Sequence, residues 1–220
     1  MASNEGISSQ LFSCLCGDGL QIRPIHCGTY LSGLELVFGT LAAVATFVIF
    51  YLMTVFSLSW ATTDLGFTRR DFLILQLLSV VFFGIAIPIS ALLADKFGRR
   101  TILMVISVAI AVFGLAFALL LGSGNTTLVS LFLSIGMTLM GLTYGPMGTF
   151  LSELFPTEVR YSGASLTFNF AGIIGAAFAP MIAIWLAKNY GIDFVGYYLT
   201  VAAVISFVSL LVITKKEHKF

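Results

Sequence analysis

Residues Ala91–Arg100, ALLADKFGRR, decide the fold of this chain, because they form a short charged link between two long apolar runs. The runs cover Phe72–Ala94 and Ile102–Leu121, and about 20 apolar residues are enough to cross a bilayer as a helix. The pattern therefore predicts a membrane hairpin whose turn lies at one membrane face. The residues that this hairpin gathers there are Asp95, Lys96, Gly98, Arg99 and Arg100.

The composition indicates an integral membrane protein whose principal partner is the lipid bilayer. The chain is 59% hydrophobic and 10% charged, with a mean hydropathy of +1.04, whereas soluble domains have about 45–50% apolar and about 25% charged residues. The net charge is +1, and the basic residues are scattered at the ends of the apolar runs. Because they form no stripe that follows a phosphate backbone, we expect no nucleic-acid binding.

Six apolar runs predict an all-α membrane protein with six transmembrane helices. None of the runs contains Asp, Glu, Lys, Arg or His, and the links between them are short, as expected for antiparallel neighbours. A transmembrane barrel is a poor alternative, because its strands alternate in polarity over about 10 residues. The six runs are Val37–Leu58, Phe72–Ala94, Ile102–Leu121, Leu128–Leu151, Ala164–Ala187 and Phe194–Thr214.

The distribution of Lys and Arg predicts that both chain termini are cytoplasmic. Eight of these residues fall on the side that holds the termini and the second and fourth links, and three fall on the other side. Lys and Arg concentrate in cytoplasmic loops of membrane proteins. We therefore divide the chain into an atypical cytoplasmic leader (1–32), a six-span region (33–214) and a cytoplasmic tail (215–220).

The leader contains all three cysteines, Cys14, Cys16 and Cys27. With His26 they suggest metal ligands, but a Cys-x-Cys pair is shorter than the usual spacing of about two to four intervening residues, and no second pair exists. The leader also lacks the basic start and apolar stretch of a signal peptide. We expect reduced cytoplasmic thiols and no metal site.

Charged residues at the predicted cytoplasmic helix ends oppose the local helix dipoles. Asp95 lies at the end of one helix and Arg99 just before the next, and Glu153 and Arg160 repeat this arrangement. Each placement costs about 0.3–1 kcal/mol, so we expect the charges to pair across helices; the alternative is that they only set topology. The expected pairs are Glu153 and Glu158 with Arg99 or Arg100, and Asp95 with Arg160 or a helix amino terminus.

The charged hairpin resembles a signature of the major facilitator superfamily of transporters. That signature is roughly Gly-x-Leu-Ala-Asp-Arg-x-Gly-Arg-Arg, and residues 91–100 match it with Ala91 at the first position and Lys96 at the first basic position. Glu153 and Arg160, with six residues between them, look like a second signature found in sugar and metabolite porters.

Two further stretches, Trp60–Phe72 and Tyr144–Ser165, are similar to the metabolite:proton symporter branch. The resemblance covers about residues 37–214 and matches only the carboxy-terminal half, spans seven to twelve. It implies a bacterial-type inner membrane protein that transports a small metabolite with a proton, and a second six-helix half as partner. In such transporters the substrate is held between the halves near the bilayer midplane, so we expect a truncated transporter.

The resemblance also implies a cytoplasmic gate that closes the inward side during alternating access. Gly98 would supply its permissive turn, and replacement of Arg100 by Ala in an intact relative should impair transport. The residues of this predicted gate are Asp95, Gly98, Arg99, Arg100, Glu153, Glu158 and Arg160.

Polar residues inside the spans are candidates for contact with the substrate, because exposing them to lipid is costly. The alternative is that they form hydrogen bonds between helices. Gly141-x-x-x-Gly145 and Gly172-x-x-x-Ala176 allow helices to approach closely, and we interpret them as packing motifs. The candidates for the substrate cavity are Tyr51, Gln76, Thr143, Tyr144 and Asn169.

Enzymatic function is not expected. No span contains an acid, Lys or His, which leaves no intramembrane catalytic group or cofactor ligand. The family resemblance implies that the proton-handling charges belong to the absent half. Three hypotheses remain: half of a proton-coupled metabolite transporter, a six-span protein that homodimerises, and a non-transporting remnant of a disrupted transporter gene. The sequence does not reveal the substrate.

Overall fold

The structure, a computed structural model, describes residues 33–217, and these residues form helices joined by short links, with no strand among them. The predicted leader, with Cys14, Cys16, His26 and Cys27, lies outside the described residues, as do residues 218–220. The α-helices are α1 (Gly33–Tyr51), α2 (Ser57–Thr63), α3 (Arg69–Phe97), α4 (Arg99–Leu115), α5 (Phe117–Leu121), α6 (Thr126–Glu153), α7 (Arg160–Ile173), α8 (Ala179–Tyr190) and α9 (Ile192–Glu217).

Two single-turn π-helical segments interrupt this pattern. The first, π1 (Leu52–Phe56), joins α1 to α2, and the second, π2 (Ile174–Phe178), joins α7 to α8. In π1 the amide of Ser57 bonds to the carbonyl of Leu52, five residues earlier. Such π turns are rare and often lie at functional sites, and the apolar pattern of the sequence gave no sign of either one.

Within residues 33–217, five helical stretches are long and apolar enough to cross a membrane. They are Glu35–Thr63, Arg69–Phe97, Thr126–Glu153, Arg160–Tyr190 and Ile192–Ile213. Four of them cover a predicted apolar run, and the last one overlaps the run Phe194–Thr214 except for Thr214, so the all-α membrane architecture is confirmed. The count of six spans stays a prediction, because the third run is divided between two shorter helices.

The division lies at Ala116, between α4 and α5. Its ψ angle of −2° departs from helical geometry, and its amide bonds to the Val112 and Phe113 carbonyls at 3.3 and 3.1 Å. On the two sides of this bend, the buried rings of Phe113 and Phe117 both contact Phe132 of α6, with ring centroids 5.3 and 4.8 Å apart. The bend thus coincides with a buried aromatic cluster.

Close contact between α3 and α6 depends on the predicted glycine pair of α6. A methyl group on Gly141 would lie 2.6 Å from the Phe83 carbonyl oxygen, and one on Gly145 would overlap the Ser90 hydroxyl. The packing interpretation of this pair is confirmed. For the other predicted motif, Gly172 has only an ordinary contact, 3.5 Å from the Phe47 ring.

The close approach near that second motif belongs to a glycine that the pattern did not single out. A methyl group on Gly175, in π2, would lie 3.1 Å from the backbone carbon of Phe47 and would overlap its side chain. Gly172 therefore packs against α1 as an ordinary contact, and the closest approach of this segment to α1 falls at Gly175.

The last helix, α9, is tied to α1 by the hydroxyl of the buried residue Ser206 and to α4 by that of the half-buried residue Thr200. The Ser206 hydroxyl donates to the Leu41 carbonyl at 2.7 Å and accepts from the Ala45 amide at 3.1 Å. The Thr200 hydroxyl lies 3.1 Å from the Ala111 carbonyl and donates to it. These bonds join distant parts of the chain without any charge in the membrane.

Apolar side chains cover much of the outer surface, as expected for a protein whose solvent is lipid. The helix α3 shows this best, with Leu77, Leu78 and Leu92 at 68%, 60% and 71% exposure. The buried core comes mainly from α1, α4, α6 and α9. The helix α3 therefore lies at the edge of the bundle, where its ends remain accessible.

Candidate functional site

Three helix ends meet at the charged hairpin, and Arg99 joins them. Arg99 is the first residue of α4, and its Nη1 atom donates a hydrogen bond to the Oε1 atom of Glu153, the last residue of α6. Its Nη2 atom lies 3.7 Å from the Oδ1 atom of Asp95, near the end of α3. One guanidinium group therefore connects α3, α4 and α6.

The ion pairs of Arg99 are weak enough to break. The side chain of Arg99 is 33% exposed, and those of Asp95 and Glu153 are 68% and 55% exposed. Exposed pairs contribute only about 0.2–1 kcal/mol each. Arg99 also lies at the positive end of α4 and Glu153 at the negative end of α6, where each charge opposes the helix dipole. Their pairing offsets a local cost instead of adding a large net stabilisation.

The turn before Arg99 is a single glycine. Gly98 links α3 to α4 with a φ angle of 88° and a ψ angle of 132°, a conformation that is essentially restricted to glycine. The permissive turn expected at Gly98 is therefore present. Arg100, the second residue of α4, is half-buried next to it.

Of the remaining predicted gate residues, Glu158 lies in the link from α6 to α7 and Arg160 begins α7, and neither takes part in an ion pair among the described residues. Arg160 is the first residue of α7, and its Nε atom donates to the Phe155 carbonyl at 3.5 Å instead of pairing with Asp95. Glu158 is exposed and forms no ion pair within residues 33–217. Arg99 takes both carboxylates because it lies between the ends of α3 and α6.

A second feature is a half-open cavity of about 420 Å³ between α1, π1, α3 and α6. Of the five predicted cavity residues, Tyr51 and Tyr144 line it. The other lining residues are Thr46, Phe47, Phe50, Thr54, Val80, Phe83, Ile87, Met137 and Met140. Its volume falls within the range of about 300–1,000 Å³ typical of sites for small molecules.

Gln76 connects α3 to the π turn beside the cavity. Its Nε2 atom donates to the carbonyls of Met53 and Thr54 in π1, at 3.0 and 3.2 Å. This is the interhelical hydrogen bonding that the sequence left open as the alternative to substrate contact. Because Thr54 lines the cavity, Gln76 also holds part of the cavity wall in place.

The last two predicted cavity residues do not line this cavity. Thr143 is buried, and its hydroxyl donates to the Met140 carbonyl of its own helix at 2.8 Å. Asn169 is exposed on α7, and its Nδ2 atom donates to the Ser165 carbonyl at 2.8 Å. Direct contact between either residue and a substrate stays a prediction.

Aromatic rings dominate the cavity wall, and three of them are absent from the polar residues that the sequence predicted for it. Phe47, Phe50 and Phe83 line the cavity together with the two tyrosines. The signal was available in α1, because positions 47, 50 and 51 follow the i, i+3, i+4 spacing that places side chains on one helix face.

An edge-to-face series of rings crosses four helical elements. Phe47 of α1 contacts Phe168 of α7, with centroids 4.9 Å apart. Phe168 contacts Tyr144 of α6 at 6.4 Å, and Tyr144 contacts Phe83 of α3 at 6.1 Å. Edge-to-face pairs of this kind contribute about 0.5–1.5 kcal/mol beyond their buried area, so the series stabilises the wall of the cavity.

Residues 36–220 match the family profile described as Major Facilitator Superfamily. The chain is 47% identical over 188 residues to the inner membrane metabolite transport protein YhjE of Escherichia coli K12. It is 46% identical over 195 residues to a Haemophilus influenzae protein whose name proposes metabolite transport. It is 27% identical over 207 residues to the glycine betaine/proline/ectoine/pipecolic acid transporter OusA of Dickeya dadantii.

The matches cover most of this chain but less than half of each relative. The match to YhjE covers 83% of this chain and 43% of the relative, and the match to the Haemophilus influenzae protein covers 84% and 44%. The match to OusA covers 92% of this chain and 40% of the relative. The chain therefore spans less than half the length of the curated relatives it matches.

Proposed function

Because this chain belongs to the Major Facilitator Superfamily, we propose that it forms one six-helix half of a secondary transporter for small metabolites. The family and the names of the relatives support membrane transport and an inner membrane location. The five long stretches become six spans if the stretch from Arg99 to Leu121, third along the chain, also crosses the membrane. If it is helical throughout, it is about 35 Å long, enough for a hydrocarbon core of about 30 Å.

The observation that carries this proposal is the position of Arg99 between Asp95 and Glu153. In alternating access, the bundles move around a fixed substrate site. A contact that joins α3, α4 and α6 at one face is suited to hold that face closed in one state. We name Asp95, Arg99 and Glu153 the latch, and in our proposal it closes the cytoplasmic side.

The weak energies of the latch fit this role. A conformational equilibrium shifts only by the difference in interaction free energy between its two states. Exposed ion pairs of about 0.2–1 kcal/mol each bias such an equilibrium without locking it. Glu158, Arg100 and Arg160 belong to the predicted gate as well, and we propose that they act in another state or against the partner half.

The aromatic cavity is the proposed substrate site, with Tyr51 and Tyr144 in contact with the substrate. None of the lining residues is charged, so we propose that the proton-handling groups lie in the partner half. That half is a second six-helix body, either another chain or a second copy of this one. With both termini cytoplasmic, two copies insert in the same orientation, as a transporter body requires.

Uptake by proteoliposomes tests the proposal. The purified chain, alone and together with the amino-terminal half of the E. coli relative, is reconstituted and supplied with labelled proline and labelled glycine betaine under an inward proton gradient. We expect uptake by at least one of the two preparations, and slower uptake when Arg99 is replaced by Ala. If a correctly inserted chain gives no uptake in either preparation, the proposal is wrong.

A further inference from the structure

We propose that the cavity between α1, π1, α3 and α6 binds a small molecule with a methylated ammonium group, held against its aromatic rings. The inference rests on the proposed function, because it names the substrate class of the site proposed there. The lining residues determine what charge and what hydrogen bonding the cavity can accept.

The cavity wall is rich in rings and contains no charged group. Five of the lining residues are aromatic, and they come from α1, α3 and α6. A cation within about 6 Å of a ring centroid is attracted by the negative face of the ring, and this attraction grows when water is excluded. The aromatic residues are Phe47, Phe50, Tyr51, Phe83 and Tyr144.

Anionic ligands fit this wall poorly. A carboxylate or phosphate that leaves water needs Arg, Lys or several N–H donors, and no lining residue supplies a cationic side chain. The negative ring faces would repel an anion further. A carboxylate elsewhere in the same ligand would have to be met outside this cavity.

The scarcity of free hydrogen-bonding groups favours a methylated ammonium over a primary one. A primary ammonium has three donors to satisfy, whereas a trimethylated ammonium has none. The hydroxyl of Thr54 already donates to the Phe50 carbonyl at 2.7 Å, which leaves the two tyrosine hydroxyls and Thr46 as the other side-chain oxygens of the wall. Among ammonium ions, a fully methylated one therefore loses the fewest hydrogen bonds on entering this cavity.

The rings are held in place before any ligand arrives. Phe168 lies behind the wall and links Phe47 to Tyr144, and Tyr144 contacts Phe83 in turn. Phe50 and Tyr51 form a separate edge-to-face pair with centroids 5.0 Å apart. A preorganised wall binds more tightly because fewer side chains must be ordered on binding.

Paired ligands of the same shape test the inference. Choline has a trimethylammonium head, and 3,3-dimethylbutan-1-ol has the same shape with a neutral carbon in place of nitrogen. Their affinities for the purified chain in lipid nanodiscs are measured by isothermal titration calorimetry. We expect choline to bind and the neutral isostere to bind roughly twofold to thirtyfold more weakly, the range that cation–π attraction supplies.

Neighbouring residues on α3 supply a matched control. Phe83 lines the cavity, whereas Phe82 does not line it and is 51% exposed. Phe83→Leu should weaken choline binding roughly threefold to tenfold and leave the isostere nearly unchanged, and Phe82→Leu should change neither. Because Tyr144 is 44% exposed, its variants should fold. Tyr144→Leu should weaken choline binding, and Tyr144→Phe, which keeps the ring, should preserve it.

Equal affinity for the two ligands would overturn the inference and leave a merely apolar cavity, and so would equal effects of Phe83→Leu and Phe82→Leu. Absence of choline binding to the folded chain would overturn it as well. Choline binding without any uptake would reject the proposed transport while supporting the inference. Uptake of other metabolites that choline does not inhibit would reject the inference and retain the transport.

Discussion

The Nη1 atom of Arg99, the first residue of α4, donates a hydrogen bond to the Oε1 atom of Glu153, the last residue of α6. The two residues are 54 positions apart in the chain, and each opposes the dipole of its own helix. Neither charge therefore stabilises its own helix. The pair instead holds two helix ends in contact at one membrane face.

Arg99→Ala should have little effect on stability. The change removes two exposed ion pairs, worth about 0.2–1 kcal/mol each, but also removes a cation from a helix amino terminus, which returns about 0.3–1 kcal/mol. We expect the free energy of unfolding to change by less than about 1 kcal/mol, as measured by thermal unfolding in detergent. A decrease of several kcal/mol in the free energy of unfolding would instead show that Arg99 is needed for the stability of the fold.

Gly98→Ala should destabilise the hairpin although space is available. A methyl group there meets only the Thr101 hydroxyl, at 3.8 Å, so the cost comes from the φ angle of 88°. Conformations of this kind cost about 1–3 kcal/mol for residues with a side chain. Gly84 of α3 is the control, because it has no atom within 4 Å of an added methyl group. Gly84→Ala should be neutral or stabilising, and equal melting temperatures for both variants would contradict the assignment.

Gly141→Ala should separate α3 from α6. The added methyl group would lie 2.6 Å from the Phe83 carbonyl and 2.8 Å from the Ala86 side chain, and overpacking of this kind costs about 1–3 kcal/mol. The control in the same helix is Gly148, which has open space around it. Thermal unfolding should show a lower midpoint for Gly141→Ala only, and an unchanged midpoint would mean that the two helices are not in close contact.

Gln76→Leu should loosen the π turn beside the cavity. The carbonyls of Met53 and Thr54 would lose the donor that they share. The Met53 carbonyl keeps the Ser57 hydroxyl at 2.9 Å, so we expect a cost near that of a typical hydrogen bond, about 0.5–1.5 kcal/mol. Hydrogen exchange followed by mass spectrometry should show faster exchange in residues 52–57 and little change in α9. Leu77→Ala, at an adjacent position with 68% exposure, is the control; equal exchange in both variants would contradict the role of Gln76.

Hydropathy predicted the helices well but not their internal irregularities. Apolar runs and charged links determine where a chain crosses lipid, so the ranges of five spans and the single-glycine turn at Gly98 followed from the sequence. The bend at Ala116 and the turns π1 and π2 depend on packing against other helices. Because apolar residues surround these helices on all sides, periodicity carries little information about which face is buried.

The candidate sites were predicted to different extents. Arg99 and Glu153 followed from the argument that opposed dipoles require a partner, and the structure brings these two residues together. Tyr51 and Tyr144 line the cavity, whereas Gln76 forms the interhelical hydrogen bonds that the sequence left open as the alternative to substrate contact. The sequence did not reveal that a π turn would present two carbonyls to Gln76. The phenylalanines of the wall were missed because only polar residues were considered as candidates, although the spacing of positions 47, 50 and 51 places them on one helix face.

The most direct test of the central claim is a double-mutant cycle on uptake by proteoliposomes that hold both transporter halves. The variants are Arg99→Ala, Glu153→Ala and the two combined, compared with the unchanged chain. If the pair acts as a latch, each single variant slows uptake and the double variant is no slower than the slower single one, because the same contact is lost. Unchanged uptake in all three variants, or independent effects that multiply in the double variant, would contradict the account.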